Sequence, residues 1–395
     1  MRISTLTLLA IFLPLFISCQ LNEEQSLQNE VRKTEESRID DLVKEYMDLP
    51  AITVTDAYSE RSAGTRNDFY SEGDYWWPDP ENPDGPYMRR DGVTNPDNFV
   101  AHRHAMVRMS RIVGAMTSQW LLTGEEQYAS EAMKHLTAWF VNDSTKMNPH
   151  MLYSQAIMGR HTGRGIGIID GLHLVEAARS AQLLADASGV NSSDIQSIKE
   201  WFSDFLTWIY THEYGQAEMI HPNNHGTVWA VQASAYALLT GNDEMIQFCK
   251  TRFKEHLLPS QMAADGSFPL EIDRTKPYGY SLFNLDAMSM LAQILTLAGD
   301  ENLWNFTLED GRGLKKGLEF LYPYIKDKSV WPYQQDVLYW DDWPVRQPAL
   351  VLGGIAYSNE NYIELWKELE PDPEVTEVQR NLVMRYPLLW LENDN

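Results

Sequence analysis

Cysteine is nearly missing from this chain. It has two in 395 residues, Cys19 and Cys249. No disulfide framework or cysteine-rich metal centre can be built from them, so the fold must stand on its apolar core. An H-E-x-x-H pair is also lacking, so no metal is expected. The glycines of "GRHTGRGIGIID" do not follow G-x-G-x-x-G spacing and no Gly-Lys-Ser/Thr follows, so no nucleotide or other cofactor is expected either. Positive charge is scarce: 32 Lys and Arg stand against 56 Asp and Glu, a formal net charge of −24. Such a chain repels nucleic acid and anionic lipid in bulk, and a polyanion can bind only where basic groups are gathered locally. Past residue 18 no apolar run is long enough to cross a bilayer. After residue 60 no Pro/Gly/Ser linker interrupts the pattern, so residues 46–395 read as a single domain.

What is present begins with the N-terminus. Residues 1–18, "MRISTLTLLAIFLPLFIS", carry one basic residue and then an apolar stretch, the pattern of a secretory signal peptide. The stretch ends at Cys19, and "FISC" resembles a bacterial lipobox, which makes Cys19 the expected lipidation site. Residues 19–45 are polar and charged and read as a lipid-anchored flexible tether running into a first helix. The expectation is an exported envelope lipoprotein, periplasmic or anchored in the outer membrane, that meets a membrane only through that anchor. Oligomeric state is open.

From about residue 100 the pattern is helical. "WLLTGEEQYASEAMKHLTAWF" (120–140) has a partner in "YALLTGNDEMIQFCKTRFKEHL" (236–257), and looser copies occur at 181–206 and 294–321. Each is an apolar helix end, then a small residue and Gly, then acids, then a second amphipathic helix. Gly suits a helix C-cap and acids suit the next N-terminus. The copies are irregularly spaced, which excludes a strict solenoid of short period. An all-α fold follows: an α/α toroid, that is, an incomplete α/α barrel of helical hairpins. Its long loops (61–99, 141–169, 213–225, 258–280 and 327–347) would converge on one end of a cleft.

Several stretches carry chemistry. In "HPNNHGTVWAVQ" (221–232), Asn223 or Asn224 reads as the cap of a helix over 226–240, or the amides and His225 read as a cluster for an anion and a proton. "DGSFPLEIDRTKPYGYSLFNLDAM" (265–288) has a turn, a short extended stretch over Phe268–Ile272, and then Arg274, Lys276, Tyr278 and Tyr280 before a helix. Trp76 and Trp77 sit in a Pro-rich loop suited to stacking on sugar rings or to pinning a lid. Arg160, His161 and Arg164 lie in a Gly-rich turn, which would bring them toward the cleft. His102, Arg103 and His104 precede a helix and are weaker candidates, because one helix face cannot hold all three.

These motifs resemble the alginate lyase group of helical-toroid polysaccharide lyases. The resemblance rests on Asn-His before a helix, "DGSFPLEIDRT", "YGYSLFNLDA", "YSEGDYWWPDPENPDGPYMRRDG" (70–92) and "GRGIGIIDGLHLVEAA" (163–178), and spans about residues 60–300. It implies β-elimination on a (1→4)-linked polyuronate, most of all alginate containing mannuronate, with glucuronan the alternative. It implies that Tyr280 and His225 move protons while Asn224 and Arg274 hold the carboxylate. Asn223, Arg160, His161, Trp76, Trp77, Lys276 and Tyr278 are the expected substrate-binding residues, and the partner is an acidic polysaccharide or oligosaccharide. The chemistry suits the residue types. The hydrogen beside a charged carboxylate is very weakly acidic, and a guanidinium and an amide can stabilise the enolate left when it departs. Cations beside Tyr280 are expected to ease loss of its proton. A hydrolase would instead need paired carboxyls, for which Asp170, Glu271, Asp273 and Asp286 are the candidates. A glycan-binding lipoprotein without catalysis is the non-enzymatic alternative, and it has no use for a Tyr–Arg–His–Asn set.

Overall fold

The computed structural model describes residues 6–299 and 301–391, with side chains from residue 23 onward. Helices dominate. Chain order begins with α1 (Leu6–Tyr46), the short strands β1 (Tyr70–Glu72), β2 (Trp76–Trp77) and β3 (Met88–Arg89), α2 (Ala101–Thr123), α3 (Glu126–Phe140) and β4 (Tyr153–Ala156). Then come α4 (Leu174–Leu184), α5 (Ser192–Thr211), α6 (Glu213–Met219), α7 (Asn224–Thr240), α8 (Asp243–Arg252), α9 (Leu258–Gln261) and α10 (Pro269–Ile272). The last five are α11 (Pro277–Leu297), α12 (Leu314–Lys326), α13 (Pro348–Ala356), α14 (Glu360–Glu368) and α15 (Thr376–Arg380). No described helix is long and apolar enough to cross a membrane.

The architecture is an α/α toroid. An inner series of helices packs neighbour to neighbour, α2 on α4, α4 on α7, α7 on α11 and α11 on α13. Outer helices cover it: α3 lies on α2, α5 and α8 lie on α7, and α14 lies on α13. Burial follows this layering. Nearly every residue of α7 and α11 is buried, so both are enclosed on all sides, whereas α3, α5 and α12 bury one stripe. Two of the predicted hairpin turns are made as read. Gly124 and Gly241 end α2 and α7 at φ 70°, the left-handed cap that glycine adopts without steric cost.

Two expectations are corrected. Residues 19–45 are not a loose tether from residue 23 on: they belong to α1, and Leu27, Val31, Ile39, Val43 and Tyr46 join the core. α1 packs on both α2 and α13, filling the gap between the two ends of the inner series. Arg38 on α1 adds a two-pronged ion pair to Asp372, with 2.7 and 2.8 Å contacts. The signal stretch 1–18 and Cys19 lie outside the residues whose side chains are described. Second, the stretch Phe268–Ile272 is not extended: Pro269–Ile272 form a single helical turn, α10, with Pro269 at its first position, where the missing N–H costs nothing.

The loops gather over the N-termini of α7 and α11. Strands β1 and β4 pair in parallel and tie the 61–99 loop to the 141–169 loop, while β2 and β3 form a small antiparallel ribbon. The 327–347 loop reaches the same place. Asp336 accepts the backbone N–H groups of Tyr278 and Gly279 at 2.8 and 2.9 Å, capping α11.

Candidate active site

The start of α7 answers the question its sequence poses. Asn223 is the cap, its Oδ1 accepting the His225 backbone N–H at 3.3 Å. Asn224 is the first helical residue, and it is held differently. Its backbone N–H and its Nδ2 each donate to Glu271 at 2.8 Å. Glu271 is buried, and that burial raises its carboxyl above the usual range although Asn224 and Arg274 pull the other way. Gly226 follows because a Cβ there would stand 2.3 Å from the carbonyl oxygen of His221. The turn is thus too tight for any other residue. His225 directs its Nδ1 to Glu218, 2.6 Å away on α6.

Tyr280 lies one turn into α11. The Arg274 guanidinium sits 3.8 Å from its ring centroid, and Lys276 Nζ lies 5.0 Å from it. Its hydroxyl donates to Tyr75 Oη at 3.2 Å. Cations are therefore in place as expected, yet the phenol moves the opposite way. Burial and the neighbouring Tyr75 outweigh Lys276 and Arg274, and the Tyr280 pKa is raised well above its ordinary value. Tyr280 rests as a neutral phenol.

Asn223, Asn224, His225, Arg274 and Tyr280 all line one cavity of about 310 Å³. Trp76 forms part of its wall, as do Arg164 and, from the C-terminal segment, Arg380 and Asn381. The one carboxylate in that lining is Asp74, which is committed to Arg103 at 2.5 Å and to Arg380 at 3.1 Å. The carboxyl candidates for hydrolysis do not form a facing pair. Asp170 is buried against Arg103, Glu271 is bound by Asn224, Asp286 is buried and accepts the Ala349 N–H, and Asp273 is exposed away from the cavity. Among the described residues no cluster of His, Cys, Asp and Glu could hold a metal ion.

The comparisons with known proteins fall on this geometry. The alginate lyase family model matches residues 53–331. The chain belongs to the alginate lyase family. A solved alginate lyase from Bacteroides ovatus is 31% identical, covering 93% of this chain and 98% of its own, with a TM-score of 0.79. Alginate lyase A1-III from Sphingomonas species A1 is 14% identical over 90% of this chain and 95% of its own, TM-score 0.55, and shares the fold. A variant of alginate lyase A1-III complexed with a tetrasaccharide gives 14% identity, 88% and 89% coverage and a TM-score of 0.57. No curated protein sequence matches the chain. The protein is a polysaccharide lyase.

Within this alginate lyase fold, four of the expected binding residues lie outside the lining of this cavity, and a fifth lies behind Tyr280. Tyr278 is fully buried, donates its hydroxyl to the Tyr324 carbonyl and packs on Trp331 and Trp340. Trp77 is outside the cavity lining, with its indole N–H on the Val93 carbonyl and Arg90 over its ring. Arg160 is exposed. It bonds the Tyr87 carbonyl and reaches only the Trp76 ring, at 5.7 Å. His161 is exposed on the same turn, its backbone tied to Ile157. Lys276 is buried behind Tyr280, on Glu377 and Tyr75. Of the weaker candidates, His102 is structural: Nδ1 accepts the Tyr70 N–H and Nε2 faces the Ala57 carbonyl. Arg103 is buried on Asp74 and Asp170, and His104 is exposed.

Sequence reasoning missed Tyr75, Glu218, Glu377 and Arg380 and gave Arg164 only a marginal place. Tyr75 stands inside the aromatic loop, directly before Trp76 and Trp77. Glu377 and Arg380 lie beyond the matched region and have no local motif.

Proposed function

We propose that this lyase cleaves alginate containing mannuronate by β-elimination, leaving a 4,5-unsaturated uronate at the new end. One observation carries the reading: a phenol, an imidazole, an amide and a guanidinium from two distant segments, 224–225 and 274–280, line a single cavity whose one carboxylate is already neutralised. Arg274 and Asn224 hold the uronate carboxylate and stabilise the enolate as the neighbouring hydrogen leaves. Tyr280 handles the C5 hydrogen and protonates the glycosidic oxygen where both lie on one face of the ring. His225, with Nδ1 committed to Glu218, keeps Nε2 as the acceptor for a hydrogen on the other face. Trp76 supports the sugar ring and Arg164 a second carboxylate. The tetrasaccharide carried by a structural neighbour agrees with an oligosaccharide in this cleft.

The test is spectroscopic. The purified chain is mixed with mannuronan, guluronan, glucuronan and a pectic polymer, with and without chelator. Ultraviolet absorbance reports the double bond conjugated with the carboxylate. Absorbance should rise fastest on mannuronan, and Tyr280→Phe should nearly abolish it while oligosaccharide binding persists. No rise on any uronan, or normal turnover by Tyr280→Phe, overturns the assignment.

The N-terminal reading also stands as a proposal: residues 1–18 export the chain and Cys19 carries lipid in a bacterial envelope. Because α1 enters the core at Leu27, little chain is left to act as a spacer, and the lyase body would sit close to the membrane. Incorporation of labelled palmitate into the wild type but not into Cys19→Ala checks it.

A further inference from the structure

Behind Tyr280 the wall of the cavity is not inert. Tyr280 Oη donates to Tyr75 Oη at 3.2 Å, and Tyr75 Oη donates to Glu377 Oε1 at 2.8 Å. Lys276 Nζ donates to Tyr75 Oη at 2.9 Å and also contacts Glu377 Oε1. The polarity of the chain is forced. An ionised carboxylate only accepts, and an ammonium only donates. With Glu377 accepting from Tyr75, the Tyr75 oxygen is left to accept, from Lys276 and from Tyr280. The Tyr280 proton therefore points away from the cavity, and its lone pairs are free on the substrate side. Glu377 is ionised at neutral pH. Burial disfavours its charge, but Lys276 and Arg380 outweigh burial and hold it below the usual range.

A neutral phenol cannot take a carbon-bound hydrogen unless it sheds its own proton. We propose that Tyr75 and Glu377 are a proton relay that lets Tyr280 do so. As the C5–H bond breaks, its proton goes to Tyr280 Oη and its electron pair stays on carbon as the enolate. The Tyr280 proton passes to Tyr75, and the Tyr75 proton passes to Glu377 Oε1. One negative charge moves from Glu377 to the enolate beside Arg274, and the site gains no charge. The second half runs in reverse. Glu377 returns a proton to Tyr75, Tyr75 to Tyr280, and Tyr280 to the glycosidic oxygen as the C4–O bond breaks and the enolate electrons form the double bond. No co-reactant is needed. Tyr75 and Glu377 act through Tyr280: Tyr75 lines the cavity beside it, and Glu377 is buried outside the lining. The device depends on the C-terminal helix α15, which supplies Glu377 from outside the matched family region.

The inference rests on Tyr280 being the residue that handles the C5 hydrogen, and the experiment separates the two. Tyr75→Phe keeps the ring and every charge and removes only the relaying hydroxyl. It should lower kcat about 100-fold or more, the scale of lost acid–base help, with KM little changed. Glu377→Gln should do the same. Rates in mixtures of H2O and D2O give the readout that a merely structural role would not move. Wild type should show a curved dependence on deuterium fraction, from several protons in flight, and Tyr75→Phe a straight one. The relay is overturned if Tyr75→Phe keeps kcat within about threefold of wild type, a loss too small for acid–base help, or keeps the curvature, while Tyr280→Phe stays inactive. If Tyr280→Phe itself turns over normally, the underlying assignment fails instead.

Discussion

His225 Nδ1 lies 2.6 Å from Oε1 of Glu218, a carboxylate whose side chain is fully buried. A carboxylate at that position fixes the proton on Nδ1 and leaves Nε2 as the acceptor, and it locks the ring plane. Among the described residues the other oxygen, Oε2, has no hydrogen-bond partner, so the contact to His225 is the hydrogen bond this carboxylate makes. His225→Ala should lower kcat by about 100-fold to 10,000-fold on a polymer whose hydrogen it removes. Glu218→Ala should reproduce a good part of that loss with KM nearly unchanged, because the imidazole remains but is free to rotate and to change tautomer. Steady-state kinetics on mannuronan and guluronan distinguish the two faces. A Glu218→Ala enzyme with wild-type kcat on both would show that the pair is only structural.

Arg164 is a cation with no carboxylate partner among the described residues. Its Nε bonds the Gln155 carbonyl at 2.8 Å, and its guanidinium lies 5.7 Å from the Trp76 ring. Burial, with help from Arg89, lowers its pKa to about 10, so it is still charged at neutral pH. A desolvated charge of this kind is costly unless an anion completes it. Arg164→Ala should raise KM for polyuronate about 10-fold to 100-fold, the worth of one charge-assisted hydrogen bond, and spare kcat. Arg164→Lys should restore little of it, since an ammonium cannot offer a two-pronged contact. An unchanged KM would remove Arg164 from substrate binding.

α1 yields a stability prediction. Ile39 is fully buried in the core although its helix is polar along most of its length. Ile39→Ala should cost about 2–5 kcal/mol of unfolding free energy, the range for deleting a buried branched side chain. Urea unfolding of the mature chain measures it. A change within experimental error would mean that α1 does not close the ring in solution.

How much of this was written in the sequence differs from residue to residue. Gly124 and Gly241 were legible as helix ends because a left-handed cap is a local demand. Tyr280 and Tyr278 looked alike in the string, but residues two apart on a helix point about 200° apart. Tyr280 therefore meets the cavity and Tyr278 meets Trp331. The packing of α1 into the core was not legible because Glu35, buried on Arg38 and Arg346, occupies a position in the line of Leu27, Val31, Ile39 and Val43. An acid there breaks the apolar period on which helix reading depends. Glu218, Glu377 and Arg380 gave no signal at all, since their partners are supplied by packing and not by neighbours in sequence.

The ion pair that fastens α1 gives the enzyme an acid-sensitive seam. Burial disfavours the charge on Asp372, but the hydrogen bond and the charge of Arg38 prevail and lower its pKa. A lowered carboxyl pKa contributes stability that is complete above the unfolded value of about 4 and is lost as pH falls through the folded value. Acidification below about pH 4 should therefore loosen α1 from the 370–391 segment earlier than it melts α7 and α11. Asp372→Asn removes the titrating group. It should be less stable than wild type at pH 7, and the gap should close as pH is lowered. Hydrogen exchange of α1 amides between pH 3 and 7 reads both effects, and exchange in α1 that stays parallel with that of α7 at every pH would sink the prediction.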